Sequence, residues 1–208
     1  MKKTIKILLT FLLFASSLFA STISFSAGYT TLSMKEGNQN VSLSNGSKVT
    51  LDNLDISADQ INLSGEDYKY IECINFVKFI DKENEITLRC SNLKFNQDNQ
   101  TIIINGWCEI DDKKNNIYAT SSYLEYNLEN KILDLMIEVK LLHDSDNKIM
   151  KCSSDSLRFD LKNNILALLG SSQVLWDSNT YKAQAMTINL NNNDISMDGN
   201  IEANITSN

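Results

Sequence analysis

The segment 87–111 shows the pattern of apolar and polar positions that the rest of the chain repeats. Its first half carries four apolar positions, which are Leu88, Cys90, Leu93 and Phe95. Its second half alternates apolar with mostly polar residues, and the apolar positions there are Ile102, Ile104, Cys108 and Ile110. Alternation with a period of two is typical of a strand with one buried face. The polar residues at 96–99 separate the halves and predict a turn.

The same unit recurs six times, and Phe95 marks one position within it. The equivalent residues lie 31 to 33 positions apart; they are Leu32, Leu63, Phe95, Tyr126, Phe159 and Leu190. Five positions before each of them stands a small residue, Ala, Cys or Ser. A fixed period of this length predicts a stacked repeat, in which each unit buries its apolar face only against its neighbours.

Each repeat predicts two antiparallel strands, so we expect an all-β protein of about twelve short strands. In the first strands the apolar phase shifts, as between Cys90 and Leu93, and a β-bulge there would return both residues to one face. The second strands alternate without interruption, as in 133–141. If the two strands of a repeat fold over one another, six repeats form two facing sheets in a body roughly 25–30 Å long. The end strands would offer unpaired backbone groups to another copy or to a partner.

Composition and the N-terminus indicate an exported protein with one elongated domain. The 208 residues include no proline, are 42% hydrophobic and carry a formal net charge of −7. An acidic chain argues against binding to nucleic acid, whose phosphates attract basic surfaces. Residues 1–20 combine a basic start, an apolar run and a small-residue end. They predict a secretory signal peptide, which leaves a domain at 21–208 in the periplasm, and the alternative is a leader that stays as a membrane anchor.

The repeats resemble those of the OstA-like family, which contains LptA, LptC and the N-terminal domain of LptD. One shared motif is an apolar strand with a small residue, as in ISADQINL at 56–63. The other is a strand with Gly before an apolar residue, as in INGW at 104–107 and MDGNI at 197–201. The resemblance covers about residues 25–207. It implies a β-jellyroll, or β-taco, with an apolar interior groove that binds the acyl chains of lipopolysaccharide, and head-to-tail assembly between the inner and outer membranes.

Under this interpretation, inward apolar positions of the repeats line the lipid-binding groove. The candidate groove residues are Leu93, Phe95, Ile104, Leu124, Tyr126, Leu135, Ile137, Leu157, Phe159 and Leu168. The alternative for any one of them is that it fills an ordinary packed core. Trp107 falls on the outward phase and suits an edge or a partner contact, whereas Trp176 falls on the inward phase near the end of its strand.

The four cysteines and the single histidine are weaker candidates for chemistry. An even number of cysteines in an exported chain permits disulfides. However, Cys90 and Cys152 lie two repeats apart, about 9–10 Å by strand spacing, so free buried thiols are the favoured interpretation. No CxxC or HxxxH spacing predicts a zinc site. His143 has two interpretations: a metal or acid–base site, or a residue of a solvated loop. Its turn-like surroundings favour the loop.

The sequence therefore predicts a non-enzymatic bridge protein without cofactor or metal. It would carry lipopolysaccharide or a related glycolipid from the inner to the outer membrane. Its other partners would be further copies of itself, or other β-jellyrolls of the same transport system. Two alternatives stay open: an LptC-like anchored subunit of that system, and a structural β-solenoid without lipid cargo. A carbohydrate-active enzyme ranks last, because the carboxylates scatter through turns instead of clustering on one sheet face.

Overall fold

The computed structural model describes residues 22–35, 38–145 and 148–206, so the leader predicted at 1–20 lies outside the described part. These residues form an all-β fold with a single 3₁₀ turn at Glu66–Tyr68. No helix in the described ranges is long and apolar enough to cross a bilayer. The strands are β1 (Ile23–Ser26), β2 (Tyr29–Lys35), β3 (Asn38–Leu51), β4 (Leu54–Ser64), β5 (Tyr70–Asp81), β6 (Ile86–Asn96), β7 (Thr101–Asp112), β8 (Ile117–Asn127), β9 (Ile132–Ser145), β10 (Lys148–Asp160), β11 (Ile165–Trp176), β12 (Asn179–Asn189), β13 (Asp194–Asp198) and β14 (Glu202–Asn204).

The strands form one antiparallel sheet in which chain neighbours are sheet neighbours. The order runs from β3 to β13 without a crossover, while β1 and β2 both pair with β3 and β14 pairs with β12. Turns at 52–53, 82–85, 113–116 and 177–178 line one side of this sheet, which we call the first turn edge. Turns at 65–69, 97–100, 128–131, 161–164 and 190–193 line the opposite side, the second turn edge.

Asp and Asn side chains shape many of these turns. In the turn after β5, the Asp81 carboxylate accepts the backbone N–H groups of Glu83 and Asn84 at 3.0 and 3.1 Å. Asp160 accepts two backbone N–H groups in the same way after β10. Such local bonds replace the ladder bonds that the chain gives up where a strand ends.

A crease runs across the middle of the sheet. Every second strand from β3 to β11 contains residues with positive φ there; these are Asn45, Gly46, Asn75, Phe76, Gly106, Ile137, Glu138, Gly170 and Ser171. The same strands hold one extra residue relative to their partners. The interval from Ile103 to Cys108 in β7, for example, faces the shorter interval from Lys94 to Cys90 in β6. Left-handed residues and an extra residue are the features of a bulge that bends a strand.

The bulge therefore lies in a different strand from the one predicted. We expected it in the first strand of each repeat, between Cys90 and Leu93, but the extra residue belongs to the second strand. The consequence for the first strand is nevertheless the expected one, because Leu88, Leu93 and Phe95 are buried and Cys90 is half-buried against the same core.

The sheet folds over at the crease, so each strand contributes to two facing layers. Phe79 and Leu88 are register partners, and Leu88 precedes Phe95 by seven residues in β6. In a flat sheet this separation would exceed about 20 Å. The rings of Phe79 and Phe95 instead meet edge to face at 6.4 Å between centroids. We call the halves next to the first turn edge the first layer, and the halves next to the second turn edge the second layer.

The expected arrangement of the two strands within a repeat was wrong. They do not lie face to face in two sheets; they are hydrogen-bonded side by side, as β6 and β7 are. Each repeat thus adds two rungs to the stack, and twelve successive strands give a length of about 50 Å instead of 25–30 Å. For the same reason the strands are longer than expected, with 11 to 14 residues each from β3 to β12.

Candidate functional site

The space between the two layers is filled by apolar side chains from nearly every strand. Nine of the ten candidate groove residues lie there and are at most 2% exposed. They are Leu93, Phe95, Ile104, Leu124, Tyr126, Leu135, Leu157, Phe159 and Leu168. Of the two tryptophans, Trp107 is 52% exposed on the outside and Trp176 packs against the core, as their phases predicted.

Ile137 is the exception, and its assignment to the groove was wrong. Its side chain is 59% exposed, and its backbone adopts φ +67° at the crease of β9. The regular alternation of 133–141 placed it inward because alternation assumes an extended backbone throughout. The signal that was missed is the crease position itself, since three of the other four creased strands place a glycine there: Gly46, Gly106 and Gly170.

The interior is closed in this conformation. Side chains that are 0–2% exposed, such as Leu124 and Leu168, meet neither solvent nor a void that admits a water-sized sphere. An acyl chain is wider than a water molecule. A guest between the layers would therefore require them to separate from each other at the turn edges, opposite the crease.

A polar contact joins the layers where the two turn edges meet, a line we call the mouth. The Tyr126 hydroxyl, from the second layer, donates a hydrogen bond to Asp81 Oδ2, from the first layer, at 2.7 Å. Asn84 Nδ2 donates to the same carboxylate oxygen at 2.6 Å and to the Tyr126 oxygen at 3.1 Å. Burial and the Asp81 carboxylate together hold the pKa of the Tyr126 phenol above its usual value. Asp81, Asn84 and Tyr126, which we call the triad, hold the two layers together at one point along the mouth.

A salt bridge and a cavity lie along the mouth, next to the triad. Lys131 Nζ, from the second turn edge, lies 2.8 Å from Glu83 Oε1, from the first. Both side chains are more than a third exposed, so this pair adds little to stability. A cavity of about 470 Å³ opens next to it between the edges, and its lining includes Asp81, Asn84 and Leu128. The mouth is thus the partly hydrated boundary of an apolar interior.

Inward-facing polar residues extend along the first turn edge. Asp112 and His143 are both register partners of Ile117 in β8 and are 1% and 8% exposed. Burial raises the pKa of the Asp112 carboxyl. Burial lowers the pKa of the His143 imidazole, against the opposing influence of Asp144 and Asp112. The expected solvated loop at His143 is wrong, because β9 continues past it to Ser145.

Sequence reasoning missed the roles of Asp81, Asn84 and Asp112. Their place between alternating segments predicts only a turn. The structure confirms that function, since Asp81 accepts the backbone N–H groups of Glu83 and Asn84, and Asp112 accepts that of Asn115 at 3.0 Å. Asp81 and Asp112 also place carboxylates on the inner side of the mouth. They do so because each is the last residue of its strand, β5 or β7, and strand alternation points that residue inward. A signal for it exists, since an Asp followed three residues later by Asn ends both β5 and β7 at a spacing of 31.

The four cysteines carry free thiols, and Cys73, Cys108 and Cys152 are buried as expected. Burial raises the pKa of Cys73 and Cys152 to about 12, which suits inert core positions. Within the described residues, no group of three or more His, Cys, Asp or Glu side chains is arranged to hold a metal ion. The arrangement offers burial of apolar groups beside a hydrogen-bonding rim.

Comparison with known proteins identifies a shared fold but no sequence family. No protein-family model matches the sequence, and no curated protein matches it. Among solved structures, the chain is similar to LptH, the LptA homologous periplasmic component of the conserved lipopolysaccharide transport device from Pseudomonas aeruginosa. The TM-score is 0.56 at 10% sequence identity, and the match covers 61% of this chain and 99% of that chain. At this identity the likeness shows a shared fold: the chain is an antiparallel β-jellyroll of the LptA type.

Proposed function

We propose that this protein is a non-enzymatic periplasmic carrier of lipopolysaccharide or a related glycolipid. The acyl chains would lie between the two layers, lined by residues such as Leu93, Tyr126 and Phe159. The observation that carries this proposal is an apolar interior enclosed by one folded sheet, which is continuous at the crease and held at the mouth by polar contacts. The shared fold with LptH supports it.

The energetics of opening favour a lipid as the guest. Separating the layers breaks the Tyr126–Asp81 bond and exposes apolar side chains. An acyl chain covers those side chains again, and each buried methylene contributes about 0.8 kcal/mol. The remaining cost is the polar contacts, of which a typical hydrogen bond contributes about 0.5–1.5 kcal/mol net. A chain of ten or more methylenes exceeds that cost, whereas a polar guest would not.

The rim of the mouth suits the sugar part of a glycolipid. Asp81 and Asp112 lie on the inward phase at the boundary between the apolar interior and solvent, and Asn84 in the adjoining turn bonds to Asp81. Carboxylates accept hydrogen bonds from hydroxyls, and the Asn side-chain amide both accepts and donates them. In the open state these groups would contact the hydroxyls of a head group while the acyl chains stay inside. The rim thus matches an amphipathic guest better than a plain hydrocarbon.

The two ends of the stack suit head-to-tail association with further copies or with related β-jellyrolls. At one end, within the described part of the chain, β2 pairs only with β3, and its Leu32 and Met34 are 58% and 75% exposed. At the other end Ile201 and Ile205 are 55% and 71% exposed. Joining the ends would cover this surface and extend the interior from copy to copy. Lys in place of Leu32 and Met34 should weaken the concentration-dependent association measured by sedimentation velocity.

Photo-crosslinking tests the cargo directly. We place p-benzoylphenylalanine at Phe159, which is interior, and at Tyr70, which is 46% exposed on the outside of the second layer. Incubation with lipopolysaccharide followed by irradiation should give a lipid adduct at Phe159 and little at Tyr70. Absence of an adduct at Phe159 in a folded variant, or equal yields at both positions, would refute the proposal.

The closed interior specifically favours a second candidate, a structural β-solenoid without lipid cargo. Such a protein would act through its ends and outer faces only. Native mass spectrometry of the protein purified from its own envelope separates the two candidates, because a carrier should retain lipid. The same measurement reports the mature N-terminus. A start near residue 21 indicates a cleaved leader, and a retained leader indicates the LptC-like anchored alternative.

A further inference from the structure

Cys90 and Cys108 stand directly opposite each other in neighbouring strands. They are register partners in the antiparallel pair of β6 and β7. Opposite residues in such a pair have Cα atoms about 4.5–5.5 Å apart, which lies within the range of about 4.4–6.8 Å found across disulfides. In the described sheet, neither Cys73 nor Cys152 has a cysteine as its register partner in a neighbouring strand. The fold therefore singles out one pair among the four cysteines.

This pair borders the place where the sheet is least continuous. Register pairing between β6 and β7 stops at Cys90 and Cys108, and residues 91–93 then lie opposite residues 104–107 without pairing to them. The interruption is the longest between neighbouring strands from β3 to β12. It coincides with the crease, about which the two layers must turn if the interior opens. A covalent link at its border would hold the two strands in register there.

The two thiols differ in their access to solvent. Cys90 is half-buried, whereas Cys108 is 0% exposed. A groove of about 350 Å³ at the crease includes Cys90 in its lining, together with the exposed rings of Phe76 and Trp107. A small molecule can therefore approach Cys90 from outside, while Cys108 can be reached only from its neighbours in the fold.

We propose that Cys90 and Cys108 form an intramolecular disulfide in an oxidising compartment, and that this bond braces the crease between β6 and β7. The oxidant is a small disulfide such as oxidised glutathione. In the first exchange Cys90 Sγ attacks one sulfur of the oxidant, forms a mixed disulfide and releases one thiolate. In the second, Cys108 Sγ attacks Cys90 Sγ, closes the internal bond and releases the other thiolate. The two protons that the protein thiols lose end on the two released thiolates, so one disulfide is reduced as one is formed.

The surroundings of Cys108 permit this bond. Its Sγ lies 3.2 Å from Ser121 Oγ and donates to the Ser121 backbone oxygen at 3.5 Å. Turning Sγ toward Cys90 is a change between staggered rotamers. The Ser121 hydroxyl keeps its own hydrogen bond to the Tyr123 backbone oxygen at 2.9 Å. Formation of the disulfide therefore leaves the buried hydroxyl with a partner.

The bond is expected to be structural instead of rapidly reversible. Burial raises the pKa of the Cys90 thiol to about 12, which keeps the reactive thiolate scarce and makes the first exchange slow. A thiol of high pKa is also a poor leaving group, so external thiols reduce the finished bond slowly. The inference is independent of the proposed cargo, because it concerns the crease and not a guest between the layers.

Mass spectrometry of the full chain tests the link. The purified protein is incubated with excess oxidised glutathione, and the remaining free thiols are blocked in denaturing urea. Two of the four thiols should escape blocking, and the unblocked protein should be lighter by about 2 Da, the mass of the two hydrogens lost. Trypsin separates all four cysteines, because Lys or Arg lies between each of them and the next. The segment 90–94 should appear linked to the segment 95–113.

Single variants test the roles of the two thiols. Cys108→Ala should form no internal link and should retain glutathione on Cys90, because the second exchange has lost its thiol. The matched control Cys152→Ala, at another buried cysteine, should still link 90–94 to 95–113. Four free thiols in the unmodified protein after oxidation, or a link that involves Cys73 or Cys152, would overturn the proposal even if Cys108→Ala fails to fold.

Comparison of the oxidised and reduced forms tests the bracing of the crease. The link closes a loop of about 18 residues, so the oxidised protein should have an unfolding equilibrium constant about a hundredfold smaller in the same urea concentration. Deuterium exchange of the amides at 104–107 should also become slower. Both differences should vanish in Cys108→Ala. A linked protein with the same unfolding constant and the same exchange as the reduced form would refute the bracing role.

Discussion

The central strands and the ends of the stack use the same repeat but bury very different parts of it. At the marker position of the repeat, Leu63, Phe95, Tyr126 and Phe159 are at most 2% exposed. Leu32 holds the same position in β2, where it is 58% exposed and every residue of the strand is open to solvent. The expectation that all six copies would face one interior is therefore wrong for the first copy.

The difference shows that burial belongs to the stack and not to the single unit. A central strand has hydrogen-bonded neighbours on both sides and an opposite layer above it. Among the described strands, β2 pairs only with β3, and no described residue covers the same apolar side chain there. In repeat proteins the end units differ from the central ones for this reason. The stability of the molecule should therefore reside in its middle, and its capacity for association at its ends.

Removing a marker side chain gives the largest expected contrast between the two regions. Phe95→Ala should lower the free energy of unfolding by about 3–5 kcal/mol, because it leaves a cavity between the layers. Leu32→Ala at the end should change it by less than about 0.5 kcal/mol. Urea denaturation followed by circular dichroism measures both. Similar losses for the two variants would mean that the end repeat is packed against something in solution.

The triad at the mouth should contribute less than the packed interior but more than an end residue. Tyr126→Phe removes the hydroxyl that Asp81 accepts and should cost about 1–2 kcal/mol, since Asn84 still binds the buried carboxylate. Tyr29→Phe is the matched control, because Tyr29 is 60% exposed in the end strand β2. The same denaturation experiment compares them. Equal stability of Tyr126→Phe and the unmodified protein would show that the triad does not hold the layers together.

His143 should make the centre of the stack sensitive to mild acid. Burial lowers its pKa below the unfolded value of 6.5. The neutral form therefore stabilises the fold above pH 6.5, and this contribution is lost as the pH falls through the folded pKa. The loss is at most about 1.4 kcal/mol per pH unit.

The midpoint of urea unfolding, measured at about pH 7.5 and about pH 5.5, reports this effect. His143→Leu should flatten the dependence. Asp112→Asn serves as a control, because it removes a neighbouring carboxylate and keeps the imidazole. A pH dependence that is unchanged in His143→Leu would assign the effect to another group.

The smallest expected effect, and the only stabilising one, lies at the crease. Ile137 holds a β-branched side chain at φ +67° while 59% exposed, which is a strained and uncovered position. Ile137→Asn should raise the free energy of unfolding by about 0.5–1 kcal/mol, because Asn tolerates this conformation better. Leu169→Asn at the neighbouring crease, without positive φ, should show no gain. A loss in Ile137→Asn would indicate that the isoleucine is covered in solution.

Much of the architecture is readable from the sequence because it depends on local chemistry. Alternating apolar positions predict strands, Asp and Asn between them predict turns, and the constant period predicts stacking of equal units. These signals require only that each strand buries one face. They also place nine of the ten candidate groove residues in the buried interior, since Leu93 and its equivalents follow the inward phase of regular strands.

The tertiary structure alone decided how the layers face each other. Two strands with inward apolar faces satisfy the same pattern whether they lie side by side or one above the other, so the sequence did not distinguish these arrangements. The crease distinguishes them, because left-handed residues in every second strand bend the whole sheet over itself. That bend exposes Ile137 and brings Tyr126 to Asp81 across the mouth. Contacts between residues 45 positions apart, as in Tyr126–Asp81, are set by the path of the sheet and not by any local preference.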